Sequence, residues 1–173
     1  MMALLARLSP RGAALLVFVL SLATIAAAWG FQALGYAPCE LCLAQRIPYY
    51  TGVPFAAALA LAMPVLPPVL ARTGLLALAL LFAGSCIFGI YHAGVEWGFW
   101  QGPTACTGSF SSSGDLLADI ARTNVVRCDA VALRIFGLSL AGWNALVSAG
   151  LAGVAGAAGL KPARSANRQV RPR

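Results

Sequence analysis

Long stretches without a charged residue are the feature that most constrains this chain. Four such stretches occur, at residues 12–39, 47–71, 73–95 and 135–160. A helix that crosses a membrane needs about 20 consecutive apolar residues. The pattern therefore predicts four transmembrane helices, at about 12–31, 47–66, 74–94 and 136–158.

The composition supports the same class of protein. Apolar residues make up 60% of the chain and charged residues 10%, against about 45–50% and about 25% in soluble domains. A soluble domain and a disordered chain are both excluded, because too few polar residues are present. The net charge of +7 does not indicate a nucleic-acid partner, since the basic residues do not lie on a soluble domain. We expect an all-α membrane protein, a bundle of four transmembrane helices.

The first apolar stretch has a second interpretation. Arg7 and Arg11 precede it and Ala26-Ala27-Ala28 lies near its end, which is also the pattern of a cleaved signal peptide. The apolar run is long for a signal peptide, and its loss would leave three spans. We therefore favour a first transmembrane helix.

The charges predict the orientation of the bundle. With four spans, both termini lie on one side, which carries basic residues and no acidic ones: Arg7, Arg11, Arg72, Lys161, Arg164, Arg168, Arg171 and Arg173. The positive-inside rule places this side in the cytoplasm. Residues 1–160 then form a single membrane domain, and residues 161–173 form a basic cytoplasmic tail next to anionic lipid.

Two loops are expected on the outer side, a short one near 32–46 and a long one near 95–135. Within the long loop, Ser109 to Gly114 is a turn-forming stretch. Asp115 to Thr123 follows with a short amphipathic pattern, and Ser113 is placed to cap it. We expect this segment to be a short interfacial helix on the membrane surface.

Four of the five cysteines fall in these outer loops. Disulfides persist on the outer face of a bacterial membrane, because the compartment is oxidising. Cys39 and Cys42 form a Cys-x-x-Cys motif, which is typical of redox-active dithiols. A following helix N-terminus and Arg46 both favour a thiolate at Cys42, while Glu40 opposes one. Cys86 lies inside a span and is expected to be a small buried apolar residue.

The second pair, Cys106 and Cys128, leaves three interpretations open. A disulfide across this loop would stabilise the fold by roughly 3–4 kcal/mol, so a structural role is possible for both pairs. A redox relay between the pairs is the second interpretation. A zinc site is the third and is disfavoured, because closed cysteine sites usually combine two short Cys-x-x-Cys motifs. We expect no metal.

A redox relay needs an electron acceptor. The sequence contains no nucleotide-binding fingerprint, haem motif or iron–sulfur spacing, so the acceptor must come from the membrane, and a lipid quinone is the obvious one. His92, the single histidine, falls at the same level as Arg46. It is placed either to donate a hydrogen bond or proton to a quinone oxygen or to bond a helix carbonyl.

Several of these residues form recognisable motifs. They include Pro38-Cys39-Glu40-Leu41-Cys42, Gln45-Arg46-Ile47-Pro48-Tyr49-Tyr50, Tyr91-His92-Ala93-Gly94-Val95-Glu96, the Cys106 and Cys128-Asp129 loop, and Arg134-Ile135-Phe136-Gly137-Leu138-Ser139. Together they resemble the disulfide bond formation protein B (DsbB) family of bacterial inner-membrane thiol:quinone oxidoreductases. The resemblance covers nearly the whole chain except the basic tail.

The resemblance implies a function and a role for each site residue. Cys106 would form a mixed disulfide with a DsbA-like periplasmic thiol oxidase, and Cys128 would exchange with Cys39. Cys42 would face the quinone, ubiquinone or menaquinone, as a thiolate. Arg46 and His92 would lie at the quinone, and the quinol would return to the respiratory chain.

Three other functions are weighed against this one. A quinone-linked enzyme of the vitamin K epoxide reductase type is the nearest alternative, but that family generally places its motif on a later span. A membrane thiol carrier would need cysteines on both faces, and only Cys86 is available. A scaffold with two structural disulfides would carry no electrons.

Overall fold

The computed structural model describes residues 8–107 and 126–161, and four long helices dominate this part of the chain. The elements are α1 (Pro10–Ala33), α2 (Glu40–Ala44), α3 (Ile47–Ala62), α4 (Pro68–Glu96), α5 (Thr104–Thr107), β1 (Arg134–Ile135), β2 (Leu138–Ser139) and α6 (Leu140–Gly159). The predicted interfacial helix at Asp115 to Thr123 lies outside the described residues.

Local chemistry explains where the long helices begin. Ser9 caps α1, since its side chain accepts a hydrogen bond from the Gly12 amide at 3.0 Å. Ser139 caps α6 in the same way through the Gly142 amide. Proline occupies the first turn of α1, α3 and α4, where its missing amide hydrogen costs nothing.

Three helices of the described part, α1, α4 and α6, are long and apolar enough to cross a membrane. The remaining long helix, α3, has 16 residues and is therefore about 24 Å long. This length is shorter than the hydrocarbon core of a bilayer, which is about 30 Å thick. The helix ends at Ala62 instead of continuing to residue 66, because Pro64 and Pro67 follow and a proline has no amide hydrogen to donate to the helix. The prediction of four full-length spans is therefore not confirmed by helix length.

All four long helices contribute to one apolar core. Its buried members include Val17 of α1, Tyr49 of α3, Phe82 of α4 and Leu151 of α6. Many large apolar side chains on the outer surface are exposed, such as Leu80 at 76%. An apolar core inside an apolar surface is the arrangement of a helix bundle whose solvent is lipid.

Basic residues meet at one end of the bundle. Arg72 lies within α4, so its predicted loop position is wrong, and its Nε donates to the carbonyl of Gly159 at 3.1 Å. A cation at the C-terminal end of a helix is favourable because the carbonyls there carry partial negative charge. Lys161 donates to the carbonyl of Leu8 at 2.8 Å. These contacts bring the two described chain ends together.

The fourth predicted span begins later than expected, at Leu140 instead of residue 136. Arg134–Ile135 and Leu138–Ser139 pair as an antiparallel hairpin. Phe136 and Gly137 form its turn with φ angles of 52° and 82°, the two positive values that a tight hairpin turn requires. The chain is therefore not purely helical, and this hairpin delivers Ser139 to the start of α6.

Gly89 is expected to be required for the packing of α4 on α6. A Cβ atom at this position would lie 2.9 Å from the backbone nitrogen of Ala145, and backbone cannot move aside without separating the helices. Gly89→Ala should therefore destabilise the protein by about 1–3 kcal/mol, the usual cost of overpacking. The denaturation midpoint of the detergent-solubilised protein measures this.

Gly84→Ala is the matched control on the same helix. A Cβ atom there meets nothing within 4 Å, and alanine favours helix over glycine by about 1 kcal/mol. Equal midpoints for the two variants would contradict the close approach of α4 and α6.

Candidate redox site

The Cys-x-x-Cys motif builds its own short helix. Cys39 is the N-cap of α2, and its sulfur accepts a hydrogen bond from the Cys42 amide at 3.2 Å. The two sulfur atoms lie 2.7 Å apart, and both cysteines are free thiols. The helical turn therefore directs the Cys42 amide at the Cys39 sulfur.

This geometry places the thiolate on Cys39. The hydrogen bond from the Cys42 side chain lowers the pKa of Cys39 to about 4, and it outweighs the opposing effect of burial. The pKa of Cys42 is raised, chiefly by the same hydrogen bond and then by burial. In this dithiol state the hydrogen bond between the two sulfurs favours the thiolate on Cys39. The thiolate predicted at Cys42 concerns the site that faces a quinone, and it stays a prediction.

Cys106 and Cys128 form a disulfide. The Cys128 amide donates to the carbonyl of Cys106 at 3.0 Å, which holds the two chain segments side by side. The two residues are 4% and 0% exposed. The described structure thus contains one reduced pair and one oxidised pair.

The two pairs share one apolar cluster. Cys39, Cys106 and Cys128 pack there with Leu41 and Val95. Phe88 and Tyr91 of α4 pack against it, and Tyr91 stacks on Trp100. The first loop, the second loop and the end of α4 therefore meet at the cysteines.

His92 lies between the pairs. Its Nε2 is 3.6 Å from the Cys39 sulfur and 3.3 Å from the carbonyl oxygen of Cys128. Its Nδ1 is 2.8 Å from the side-chain amide of Gln45. The ring is 1% exposed, and both of its nitrogens have protein partners.

Arg46 is 9% exposed and its guanidinium points back to α1. Nη1 donates to Oε1 of Gln32 at 2.7 Å, and Nη2 donates to the carbonyl of Ala28 at 3.4 Å. Both acceptors are uncharged. Across residues 8–107 and 126–161 the recorded ion pair is Arg127–Asp129, so Arg46 keeps an unneutralised positive charge in a mostly apolar setting.

A cavity of about 590 Å³ adjoins these residues. Its walls come mainly from α1, α6 and the two loops, and they include Cys39, Cys42, Arg46 and His92. Most other lining side chains are apolar or aromatic, among them Phe31, Tyr36, Leu140 and Trp143. The predicted site residues of the first loop and α4 are thus brought together at the cavity. Cys106 and Cys128 do not line it, and they pack with Cys39 in the apolar cluster.

Two buried polar atoms on the cavity-lining residues have no hydrogen-bond partner within the described structure: Nδ2 of Asn144 and Oε2 of Glu96. The other polar atom of Asn144, Oδ1, accepts from the Tyr49 hydroxyl at 2.7 Å. Neither residue was predicted to be a site residue. The one sequence feature that could have indicated Asn144 as a site residue is its polar amide within an apolar span.

The reduced motif also has the donor types of a metal site. The Cys39 and Cys42 sulfurs and a ring nitrogen of His92 lie within 4.8 Å of one another. The spacing of the four cysteines disfavours zinc, but that spacing does not bear on His92 as a ligand. We assign no metal here.

These features define a helical membrane protein with two adjacent cysteine pairs at one end of its bundle. The family model "Disulfide bond formation protein DsbB" matches residues 10–158. The chain belongs to the DsbB family, as its motifs indicated, and is therefore a membrane oxidoreductase of disulfide bond formation. Comparisons with curated proteins and with solved structures found no match.

Cys39 is expected to be the more reactive thiol of the reduced protein. Because the pKa of Cys39 is lowered to about 4, its thiolate persists from neutral pH down to about pH 5 and is lost as the pH falls through 4. Iodoacetamide at pH 6 should label Cys39 about tenfold faster than Cys42, since only thiolates react. Peptide mass spectrometry of the alkylated protein measures both rates.

A Cys86→Ser background removes the third free thiol from this assay. Faster labelling of Cys42 at pH 6 would instead place the thiolate where the sequence predicted it.

Proposed function

We propose that the protein reoxidises a DsbA-like periplasmic thiol oxidase and passes the electrons to a membrane quinone. The net reaction converts the partner's dithiol and the quinone into the partner's disulfide and the quinol. Electrons would enter at Cys106–Cys128 and leave from Cys39–Cys42. The observation that carries this proposal is the packing of both pairs in one cluster, beside a cavity that Cys39 and Cys42 line.

Transfer between the pairs is supported by their packing. Cys39 and Cys128 belong to the same buried cluster, and one nitrogen of His92 contacts both residues. Thiol–disulfide exchange requires direct attack of a thiolate on a sulfur atom. In the proposed sequence the partner attacks Cys106, the released Cys128 attacks Cys39, and Cys42 becomes the free thiolate.

The cavity has the chemistry of a quinone site. A bound quinone accepts two electrons and two protons from a dithiol. Its apolar ring and tail match the aromatic and aliphatic lining, and its carbonyl oxygens need hydrogen-bond donors. Nδ2 of Asn144 is a buried donor without a partner among the described residues, and such a group normally has one.

The chain's own residues would divide the work as follows. Arg46 would hold the ring and stabilise negative charge on it, since no carboxylate of the described residues neutralises its guanidinium. Asn144 would donate to a carbonyl oxygen. Cys42, which lines the cavity, would supply the sulfur nearest the ring. His92 would form part of the wall.

The proposed location is the bacterial inner membrane, with four spans and both termini in the cytoplasm. The end that holds Arg72 and Lys161 would face the cytoplasm, and residues 161–173 would form its basic tail. The cysteine loops would face the periplasm, where the partner acts. The quinol, formed from ubiquinone or menaquinone, would return its electrons to the respiratory chain.

Cys42→Ser is expected to abolish quinone reduction. The purified protein would receive a reduced DsbA-type donor and a soluble ubiquinone analogue, and the quinone absorbance would be followed. The variant should turn over at least about a thousandfold more slowly, because a serine hydroxyl cannot form a disulfide.

Cys86→Ser is the matched control, because it removes a free thiol that lies outside both pairs. It should retain wild-type turnover. Quinone reduction by Cys42→Ser at the wild-type rate would refute the relay. Activity of the wild type with a small dithiol but not with the protein donor would retain the quinone site and refute the partner.

Asn144→Leu is expected to raise the KM for the quinone about tenfold. The loss of one buried hydrogen bond costs about 1–3 kcal/mol, and leucine fills a similar volume. Steady-state kinetics with the soluble analogue measures the effect.

Ser148→Ala is the control for disturbance of the Tyr49 hydroxyl. Ser148 also bonds that hydroxyl, at 2.9 Å, but the substitution leaves the Asn144 amide in place. An equal rise of KM in both variants would mean that Asn144 acts only through Tyr49.

A further inference from the structure

Glu96 brings the single carboxyl group of the described residues into the cavity wall. It is the last residue of α4 and lies one helical turn after His92. Its Oε2 is buried and has no hydrogen-bond partner among the described residues. We propose that Glu96 holds one of the two protons that quinone reduction consumes and delivers it to a quinone oxygen. This inference rests on the proposed reduction of a quinone.

The reduced cysteine pair holds too few protons for that reaction. A quinone becomes a quinol by taking up two electrons and two protons. The pair supplies both electrons. The pKa of Cys39 is lowered to about 4 and that of Cys42 is raised, so near neutral pH the pair holds one proton, on Cys42. The second proton must therefore come from another group at the cavity.

The other titratable groups of the cavity wall are less suited to supply it. Both ring nitrogens of His92 are bonded to protein groups. The Tyr49 hydroxyl is bonded to Asn144 and Ser148. Phenols and guanidinium groups are also much weaker acids than carboxyl groups. Glu96 combines an acidic group with an oxygen that has no partner in the described structure.

The carboxyl group is held at its other oxygen. The Ser139 side chain is hydrogen-bonded to it. The Ser139 oxygen accepts from the Gly142 amide at 3.2 Å, so the single hydrogen of the hydroxyl is left to donate to Glu96. Since Oε2 has no partner, Ser139 must bond Oε1. A charged oxygen buried without a donor is costly, and this cost favours a proton on Oε2.

Negative charge on the reduced pair favours the same proton. Two negative charges close together repel, and binding of a proton by one of them relieves the repulsion. Cys39 is among the groups that act electrostatically on Glu96, and Glu96 acts in turn on Cys42. Reduction of the pair should therefore draw a proton onto Glu96.

Positive groups near Glu96 act in the opposite sense. His92 of the same helix and Arg134 of β1 favour the charged carboxylate, and Arg46 and Arg127 line the same cavity. The ion pair recorded across residues 8–107 and 126–161 is Arg127–Asp129. No direct ion pair of the described residues thus holds Glu96 in its charged form.

The step balances in atoms and electrons. Before it, the site holds a Cys39 thiolate, a Cys42 thiol, a protonated Glu96 and a quinone. The Cys39–Cys42 disulfide forms and its two electrons go to the quinone. The protons of Cys42 and Glu96 pass to the two quinone oxygens, which leaves Glu96 as a carboxylate. Glu96 regains a proton when the pair is next reduced, because the donor dithiol releases two protons and the pair keeps one.

The experiment compares wild type, Glu96→Gln and Glu96→Asp as full-length protein in detergent. Glutamine has nearly the shape of glutamate but carries no acidic proton, whereas aspartate keeps the carboxyl group. Glu40→Gln is the matched control. It removes a carboxylate next to Cys39 in the chain, but Glu40 is exposed and does not line the cavity, so water screens its charge.

The first readout needs no quinone. It is the infrared difference spectrum between the oxidised and the dithiol-reduced protein, in which a protonated carboxyl group is recognised by its C=O stretch. The second readout is the split between kcat and KM for a soluble ubiquinone analogue in steady-state turnover.

Reduction of the quinone-free wild type should produce the carboxyl band, and Glu96→Gln should lack it. In Glu96→Gln we expect kcat to fall about a hundredfold, the usual loss for an acid–base group, while the quinone KM changes less than about threefold. Glu96→Asp should keep the band and recover at least about a tenth of the wild-type kcat. Glu40→Gln should match the wild type in both readouts.

A wild-type kcat in Glu96→Gln would overturn the inference, and so would a wild type that gains no carboxyl band on reduction. A raised quinone KM with an unchanged kcat would also overturn it, since Glu96 would then bind the ring without supplying a proton. Failure of the wild type to reduce any quinone would refute the proposed function instead, and the infrared comparison would still test proton binding by Glu96.

Discussion

The absence of water in the bilayer core is the constraint on which this structure depends. Every backbone amide there must be bonded within a helix, and each buried polar side chain needs a partner. A chain with 10% charged residues has few such groups, and Gln45, Arg46, His92 and Asn144 gather at the cysteine-bearing end. Side-chain contacts of residues 45–49 join the start of α3 to α1, α4 and α6. The groups that fasten the helices together therefore also surround the site.

Charge-free stretches predicted the long helices because the cost of burying charge decides which segments can enter the membrane. They did not predict where a helix begins or ends. Arg72 was expected in a loop, yet it lies in α4 and is bonded to the end of α6. The turn at Phe136 and Gly137 depends on pairing between the strands that flank it. Neither outcome can be read from hydropathy, since each depends on a contact formed only in the folded chain.

The candidate site was likewise predicted only in part from the sequence. Residue type and spacing identified the four cysteines, Arg46 and His92. Gln45 and Asn144 were not identified as site residues, because their partners lie far along the chain: 47 positions separate Gln45 from His92, and 95 separate Tyr49 from Asn144. The thiolate was assigned to Cys42 because the motif was expected to precede a helix at Ile47. The short helix that begins at Glu40 moves the favourable amide hydrogen bond to Cys39.

Burial of the Cys106–Cys128 bridge has a kinetic consequence. A thiolate must touch a sulfur to attack it, yet these residues are only 4% and 0% exposed. Any reductant must therefore wait for this segment to open, and the opening equilibrium multiplies the rate of attack. A dilute small thiol gains nothing from such brief openings, whereas a docked protein can use each one. Burial of the bridge thus selects for electron donors that dock on the protein and against small thiols in solution.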